Sequence, residues 1–321
     1  MRRVLITGAN GFVGANLARR MLERGHRVHC LLRPDRAGWR LRDIADALTV
    51  HAVDLTDAAA LDAVVREVRP HWVLHLAAYG AYASQTDAAR CVRTNVEGTV
   101  QLVDAAARSG VERLVHSGSS SEYGIVDHAP GEEEPLAPNS LYAVTKAAAT
   151  AYVRHVARTG ALHTTTLRLY SVYGPYEEPT RLIPTLIVRG LEGRYPPLVS
   201  PRTARDFVYV EDVSTAFEAA LLAPTAAGGI YNVGSGVQTT LEKAVDVSRA
   251  AFAIAAEPRW SSMPARGWDT DTWVANTART QAELGWHATT PFEAGFARTH
   301  RWLTASADRL AFYQTERELP S

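Results

Sequence analysis

Along the first half of the chain, apolar residues fall into blocks whose spacing switches between the period of a strand and that of a helix. Arg3–Thr7 reads as a strand and Phe12–Arg24 as an amphipathic helix. After the turn at Gly25, Arg27–Leu32 is a second strand and Leu48–Val53 a third. Leu61–Val68 lies on a helix, and Trp72–Ala77 is a fourth strand set off by Pro70. Val96, Val100, Val103 and Ala107 share one helical face within Asn95–Ser109, which stops at Gly110. Leu114–Ser117 is a fifth strand, Asn139–Arg158 a long helix entered after Pro138, and Thr164–Leu169 a sixth strand. Strands alternating with helices of this length predict parallel βαβ units, an α/β chain with a doubly wound sheet.

After Tyr170 the pattern loosens. Gly174-Pro175, Pro179, Pro184, Pro196-Pro197 and Pro201 mark loops and short elements. Arg205–Val210 and Gly229–Val233 read as returning strands, Leu241–Ala255 and Pro291–Thr304 as helices. The expected division is a sheet domain over 1–172, with returning segments at about 205–234. A smaller C-terminal substrate-binding region, 173–204 and 235–305, then sits over the carboxyl ends of the strands, where ligands bind in such folds. The run Glu132-Glu133-Glu134 reads as a solvated loop, and the tail 306–321 is uninformative.

Composition mainly excludes. Lys plus Arg and Asp plus Glu are balanced at 34 each, so no global basic field draws nucleic acid. No apolar run is long enough to span a membrane, and Met1-Arg2-Arg3 leads straight into the first strand, leaving no room for a signal peptide. Cys30 and Cys91 lack metal-ligand spacing; they read as reduced, packed thiols of a cytoplasmic protein, and no metal is expected.

Two motifs carry chemistry. The first strand runs into Gly8-Ala9-Asn10-Gly11-Phe12-Val13-Gly14. Gly8 permits the tight turn, Gly11 lets the backbone approach a pyrophosphate, and Gly14 allows the helix to pack closely on the sheet. The helix N-terminus then offers N–H groups and a positive dipole end to the phosphates of a dinucleotide. NAD-selective sites place an acid at the end of the second strand. Here the chain reads Leu32-Arg33-Pro34-Asp35-Arg36, and Arg33 and Arg36 suit a 2′-phosphate. NADP(H) is therefore favoured, with NAD(H) the alternative. Asp54-Leu55, after the third strand, is placed to meet the adenine edge.

The second motif is Tyr142-Ala143-Val144-Thr145-Lys146. Residues at i and i+4 leave one helix face together. A phenol with a pKa of about 10 needs a neighbouring ammonium to work near neutral pH, and Lys146 is placed to lower it. A hydroxyl partner is expected from the turn after the fifth strand, where Ser119, Ser120 and Ser121 are equivalent by position.

These motifs, with His75-Leu76-Ala77-Ala78, Asn95-Val96-Glu97-Gly98-Thr99, Ser119–Gly124, Arg168–Pro175 and Arg205–Asp212, make the chain resemble the extended short-chain dehydrogenase/reductase family over residues 3–304. That family contains nucleotide-sugar epimerases, dehydratases and reductases. The resemblance implies a Rossmann sheet, with Ser119, Tyr142 and Lys146 as the catalytic set. It implies a dinucleotide site that adds Leu76, Ala77, Ala78, Asn95, Ser117, Tyr170 and Val172 to the glycine turn. It implies that Tyr79, Ser120, Ser121, Ser171, Arg205 and Arg266 meet a nucleotide-diphosphate sugar, the two arginines at its phosphates. His75 shapes the cofactor site rather than doing acid–base work. A homodimer through the helices over 95–109 and 139–158 is also implied. The 4,6-dehydratases carry Asp-Glu after the catalytic Thr; Ser120 and Ser121 stand there, which argues against water loss. The expected activity is NADP(H)-linked reduction of an NDP-4-keto-6-deoxyhexose, the alternative a 4-epimerase holding NAD.

Overall fold

The computed structural model describes residues 1–34, 38–82 and 85–316. In chain order its strands are β1 (Arg3–Thr7), β2 (Arg27–Leu32), β3 (Leu48–Ala52), β4 (Trp72–His75), β5 (Arg113–Ser119), β6 (Thr164–Leu169), β7 (Ser171–Tyr173), β8 (Ala204–Arg205), β9 (Phe207–Tyr209), β10 (Gly229–Val233) and β11 (Thr239–Thr240). Its α-helices are α1 (Phe12–Glu23), α2 (Ala58–Val68), α3 (Ala88–Val92), α4 (Gly98–Arg108), α5 (Leu141–Arg158), α6 (Leu182–Leu191), α7 (Val210–Leu222), α8 (Leu241–Phe252), α9 (Ala278–Leu284), α10 (Phe292–Thr304) and α11 (Ala307–Glu316).

Seven parallel strands form the central Rossmann sheet in the order β10-β6-β5-β4-β1-β2-β3. The order reverses between β1 and β4, whose ends meet at the Thr7–His75 pair. Ligands of doubly wound sheets bind outside the carboxyl ends at that switch. Successive strand residues face opposite ways. Leu5, Val73 and Leu114 bury against Leu61, Leu102 and Val153 of α2, α4 and α5. Ile6, Leu74 and Val115 bury against Leu17, Met21 and Phe217 of α1 and α7. A separate core of Tyr173, Ile183, Phe207, Val245, Phe296 and Tyr313 supports the C-terminal region.

Several elements depart from the sequence expectation. The helix expected from Asn95 starts at Ala88, capped by Asp87, and passes through a π turn over Arg93–Glu97 before α4. The strand expected over Arg205–Val210 is broken at Asp206. That carboxylate turns inward and accepts from the backbone N–H groups of Ser235, Gly236 and Ala275. Partners change at this point: β8 pairs with β11, and β9 with β7. The acidic run is not simply solvated, since Glu132 is buried and accepts the Asn232 N–H at 2.9 Å. Within the tail, α11 carries a buried Tyr313 that donates to the Glu177 carbonyl at 2.6 Å. Cys30 and Cys91 are both buried and free, as read from sequence.

Candidate active site

The glycine turn is shaped by close backbone approach. Gly8 has φ +70°, and a Cβ there would lie 2.7 Å from the Ala77 nitrogen. A Cβ on Gly14 would lie 2.2 Å from the Gly8 carbonyl oxygen. Gly11 caps α1 without a side-chain bond, and no acid occupies the helix's first turn. Phe12 and Val13 are half-buried in that turn, so the helix N-terminus keeps its N–H groups and dipole for an anion. This cradle fits a dinucleotide pyrophosphate.

Arg33 directly follows β2 and is half-buried, while Asp35 and Arg36 lie outside the described residues. Asp54 accepts from the Thr56 N–H, closing a small turn, and Leu55 packs against Gly98. Leu76 and Ala77 are half-buried and Ala78 exposed at the end of β4.

Beneath the turn runs a chain of buried bonds. Thr99 donates to the Asn95 carbonyl at 2.6 Å, so its oxygen accepts from His75 Nε2 at 2.9 Å. His75 Nδ1 then accepts from Thr7, whose oxygen accepts the Leu76 and Ala77 N–H groups. Burial, and secondarily the charge of Lys146, push the His75 pKa down to about 3. The imidazole is a neutral strut, in line with the structural role read for it. Asn95, expected at the cofactor, has its amide engaged within the protein. It accepts from the Tyr79 N–H and donates to the Tyr79 carbonyl and to Thr145 of α5. The Tyr79 ring lies under the Arg90 guanidinium.

Ser140 caps α5 and sets Tyr142 and Lys146 into the cleft. The Ser119 hydroxyl neighbours the Tyr142 phenol and acts to lower its pKa, and Ser119 Oγ lies 2.7 Å from Ser121 Oγ. Ser120 is buried, and Ser117 is half-buried. Of the three serines, Ser119 is the one that acts on Tyr142. One electrostatic expectation is corrected. Burial raises the Tyr142 pKa to about 12, and Lys146 is not among the leading influences on it. The reason is burial of both partners: it also pushes the Lys146 ammonium down to about 8.

At the carboxyl end of β6, Tyr170 is buried, and its hydroxyl has no partner among the described residues. Val172 is half-buried, and the Ser171 N–H donates to the Asp206 carbonyl. Arg205 and Arg266, expected at one anion, meet Asp269 in different ways: Arg205 by its side chain and Arg266 only by its backbone, the exposed Arg266 guanidinium lying over the Trp268 ring. Arg205 Nη2 lies 2.8 Å from Asp269 Oδ1, and the Arg266 N–H donates to Asp269 Oδ2 at 2.9 Å. Burial pushes the Arg205 guanidinium down, opposed by Asp269 and reinforced by the charges of Arg181 and Arg266.

Arg181, which sequence reasoning missed, caps α6 and acts electrostatically on both Tyr142 and Arg205. Its one signal was a lone cation between Pro179 and Pro184. Arg40 was also missed. Its buried guanidinium donates to the Tyr176 carbonyl at 2.7 Å, to Glu178 at 2.8 Å and to the Asn10 carbonyl at 3.4 Å. It thereby ties the glycine turn to the loop that leads into Arg181.

The NAD dependent epimerase/dehydratase family model matches residues 4–234. The chain belongs to this family. A UDP-glucose 4-epimerase of Mycolicibacterium smegmatis is 30% identical over 308 residues, covering 92% of this chain and 97% of the relative. A dTDP-glucose 4,6-dehydratase of Streptomyces antibioticus is 28% identical over 330 residues, covering 99% and 96%. Among solved structures, MoeE5 in complex with UDP-glucuronic acid and NAD superposes with TM-score 0.82 at 30% identity, covering 94% of this chain and 98% of that one. UDP-glucose 4-epimerase of Thermotoga maritima gives 0.85 at 25%, with the same coverage. Membership in the epimerase/dehydratase family agrees with the resemblance read from the motifs. Among the described residues, no helix is long and apolar enough to cross a membrane.

Proposed function

We propose that the protein is a nucleotide-sugar oxidoreductase working at C4 of an NDP-hexose, and that its reaction is reduction of an NDP-4-keto-6-deoxyhexose with NADP(H). The observation that carries the reading is the grouping of Ser119, Tyr142 and buried Lys146 at the carboxyl edge of the sheet, with Ser119 acting on the Tyr142 phenol. A bound dinucleotide supplies the hydride. Tyr142, its pKa pushed up to about 12 by burial, gives its proton to the oxygen that becomes alkoxide. Ser119 donates to that oxygen and orients it. Lys146 faces the same cleft and is placed to hold the nicotinamide ribose. Arg181, Arg205 and Arg266 grip the diphosphate, so that binding energy far from C4 orients the sugar. Tyr79, Ser120 and Ser121 line the sugar side, and Ser171 helps hold the diphosphate.

NADP(H) is supported by Arg33 at the end of β2 and by the missing acid there. Ser120 and Ser121, where the dehydratases carry an acid pair, weigh against water loss. A second reading is a 4-epimerase that retains NAD, favoured by the 30% identity to a UDP-glucose 4-epimerase. We also read a homodimer in the cytoplasm, supported by the exposed Val92, Leu141 and Val144 on α3 and α5.

Denaturing the purified protein and identifying any released nucleotide tests the choice. An empty site that binds NADPH more tightly than NADH, and then reduces 4-keto sugar nucleotides, is expected. Stoichiometric NAD(H) would replace the reductase by the epimerase.

A further inference from the structure

The turn carrying Ser119 is built around a carboxylate that lies outside the catalytic set. Glu122 is fully buried. Its Oε1 accepts the Ser119 backbone N–H at 2.8 Å and the Thr150 hydroxyl at 3.1 Å. Its Oε2 accepts Arg168 Nε at 2.9 Å. Ser119 in turn accepts the Ser121 N–H, closing a capping box. Arg168 is itself held, donating to the Tyr123 hydroxyl at 2.9 Å and to the Glu132 carbonyl at 3.0 Å. Gly118 leaves the space: a Cβ there would sit 2.9 Å from Glu122 Oε1.

All three partners of Glu122 are donors, and only an ionised carboxylate is acceptor-only. Its charge also reaches the catalytic pair: it opposes the burial that lowers the Lys146 pKa and adds to the burial that raises that of Tyr142. Lys146 is otherwise faced by His75 on β4 and His116 on β5, both kept neutral chiefly by burial. Glu122 is therefore the one acid among the leading influences on Lys146.

We propose that Glu122, anchored by Arg168, is a positioning residue that fixes the Ser119 turn and supplies the counter-charge to Lys146. The proposal rests on the catalytic reading above and adds to it a fourth group, which touches neither sugar nor dinucleotide.

The chain contains only two lysines, Lys146 and Lys243, which makes a direct test accessible. Full-length protein labelled with [13C,15N]lysine gives two side-chain signals, and Lys243→Arg assigns them. In Glu122→Gln the Lys146 titration midpoint should fall by at least about half a pH unit while Lys243 stays fixed. Turnover should fall about 10- to 100-fold, with KM for the sugar nucleotide and the dinucleotide Kd within about threefold. The alkaline limb of the rate profile should move down with Lys146. Glu122→Asp keeps the charge but shortens the reach, so it should retain the Lys146 midpoint and still lose turnover.

An unchanged Lys146 midpoint in Glu122→Gln, or full turnover in both variants, overturns the proposal. Should Glu122→Gln not fold, the double variant Glu122→Leu/Arg168→Met replaces the ion pair by apolar groups and reads the same midpoint against the same criterion. The titration needs no substrate. A wild-type protein inert toward sugar nucleotides would count against the proposed reaction, while the midpoint still decides the electrostatic role of Glu122.

Discussion

On one side of the cleft the groups that face a ligand are backbone: N–H groups at the start of α1, exposed by three glycines within one turn. On the other side the proposed groups are the guanidinium groups of Arg181, Arg205 and Arg266, carried by separate loops, with Arg205 paired to Asp269 and the Arg266 backbone held by the same carboxylate. The first arrangement is rigid and local, because each glycine lies against backbone that has nowhere to move. The second is assembled from positions far apart in sequence and includes the Arg205–Asp269 ion pair, which a ligand must share or displace. Backbone recognition of this kind fits a cofactor common to many enzymes. Recognition by loop side chains fits the partner that differs from one enzyme to the next.

The sharpest way to separate the two sides is to remove the chemistry between them. Tyr142→Phe deletes the proton donor but keeps the ring, so turnover should fall about 1,000-fold. Dinucleotide and UDP or dTDP affinities should stay within about threefold, as measured by calorimetry. Unchanged turnover would break the proposed mechanism. Gly14→Ala attacks the rigid side next. Its Cβ meets the Gly8 carbonyl at 2.2 Å, and relief requires α1 to move off the sheet. We expect about 1–3 kcal/mol of destabilisation and a dinucleotide affinity at least about tenfold weaker, while UDP binding changes less. Gly267→Ala, where an added Cβ meets nothing within 4 Å, is the control and should leave Tm unchanged.

The same contrast explains what could be read in advance. Gly8, Gly11 and Gly14 sit in one stretch and Tyr142 and Lys146 on one helical face, so spacing alone placed them. The parallel sheet followed from alternating periods. The Asp206 break in the returning strand was hidden because the side chain that makes it finds its partners at Ser235, Gly236 and Ala275. Arg40 and Arg181 look like ordinary surface cations until the fold brings them to Asn10 and Tyr142. The upward shift of Tyr142 was missed for a related reason: burial, which outweighs a neighbouring charge, has no signature in an i, i+4 pair.

On the loop side, Arg181→Ala should weaken UDP or dTDP binding by about tenfold and leave the dinucleotide untouched, because charge-assisted contacts to phosphate are worth about 1.5–3 kcal/mol. A dinucleotide effect of equal size would erase the distinction between the two sides. Arg40→Met probes the join. It removes the Arg40 bonds to the Asn10 carbonyl, the Tyr176 carbonyl and Glu178 together, so both affinities should weaken in parallel by a few-fold in the same titrations. Loss of only one would show that the glycine turn and the 176–181 loop are held independently.

The smallest expected effect concerns how the loop side stores cost in its own framework. Tyr176 has φ +70°, a conformation that disfavours a bulky residue. It is held there by the Arg40 bond and by the Arg19 guanidinium 3.9 Å over its ring. The conformation carries Glu177 inward, where burial raises its pKa to about 8 and leaves Oε2 without a partner among the described residues. A carboxyl whose folded pKa lies above its ordinary 4.5 contributes stability that is whole below pH 4.5 and disappears as pH rises through 8. Glu177→Gln cannot ionise, so it escapes that loss. Its Tm should match wild type near pH 4.5 and exceed it by a few degrees at pH 8.5, read by calorimetry in matched buffers. A constant difference across that range would mean that Glu177 is ionised throughout. The loop would then be held by charge in the way Asp269 holds Arg205, not by a neutral buried acid.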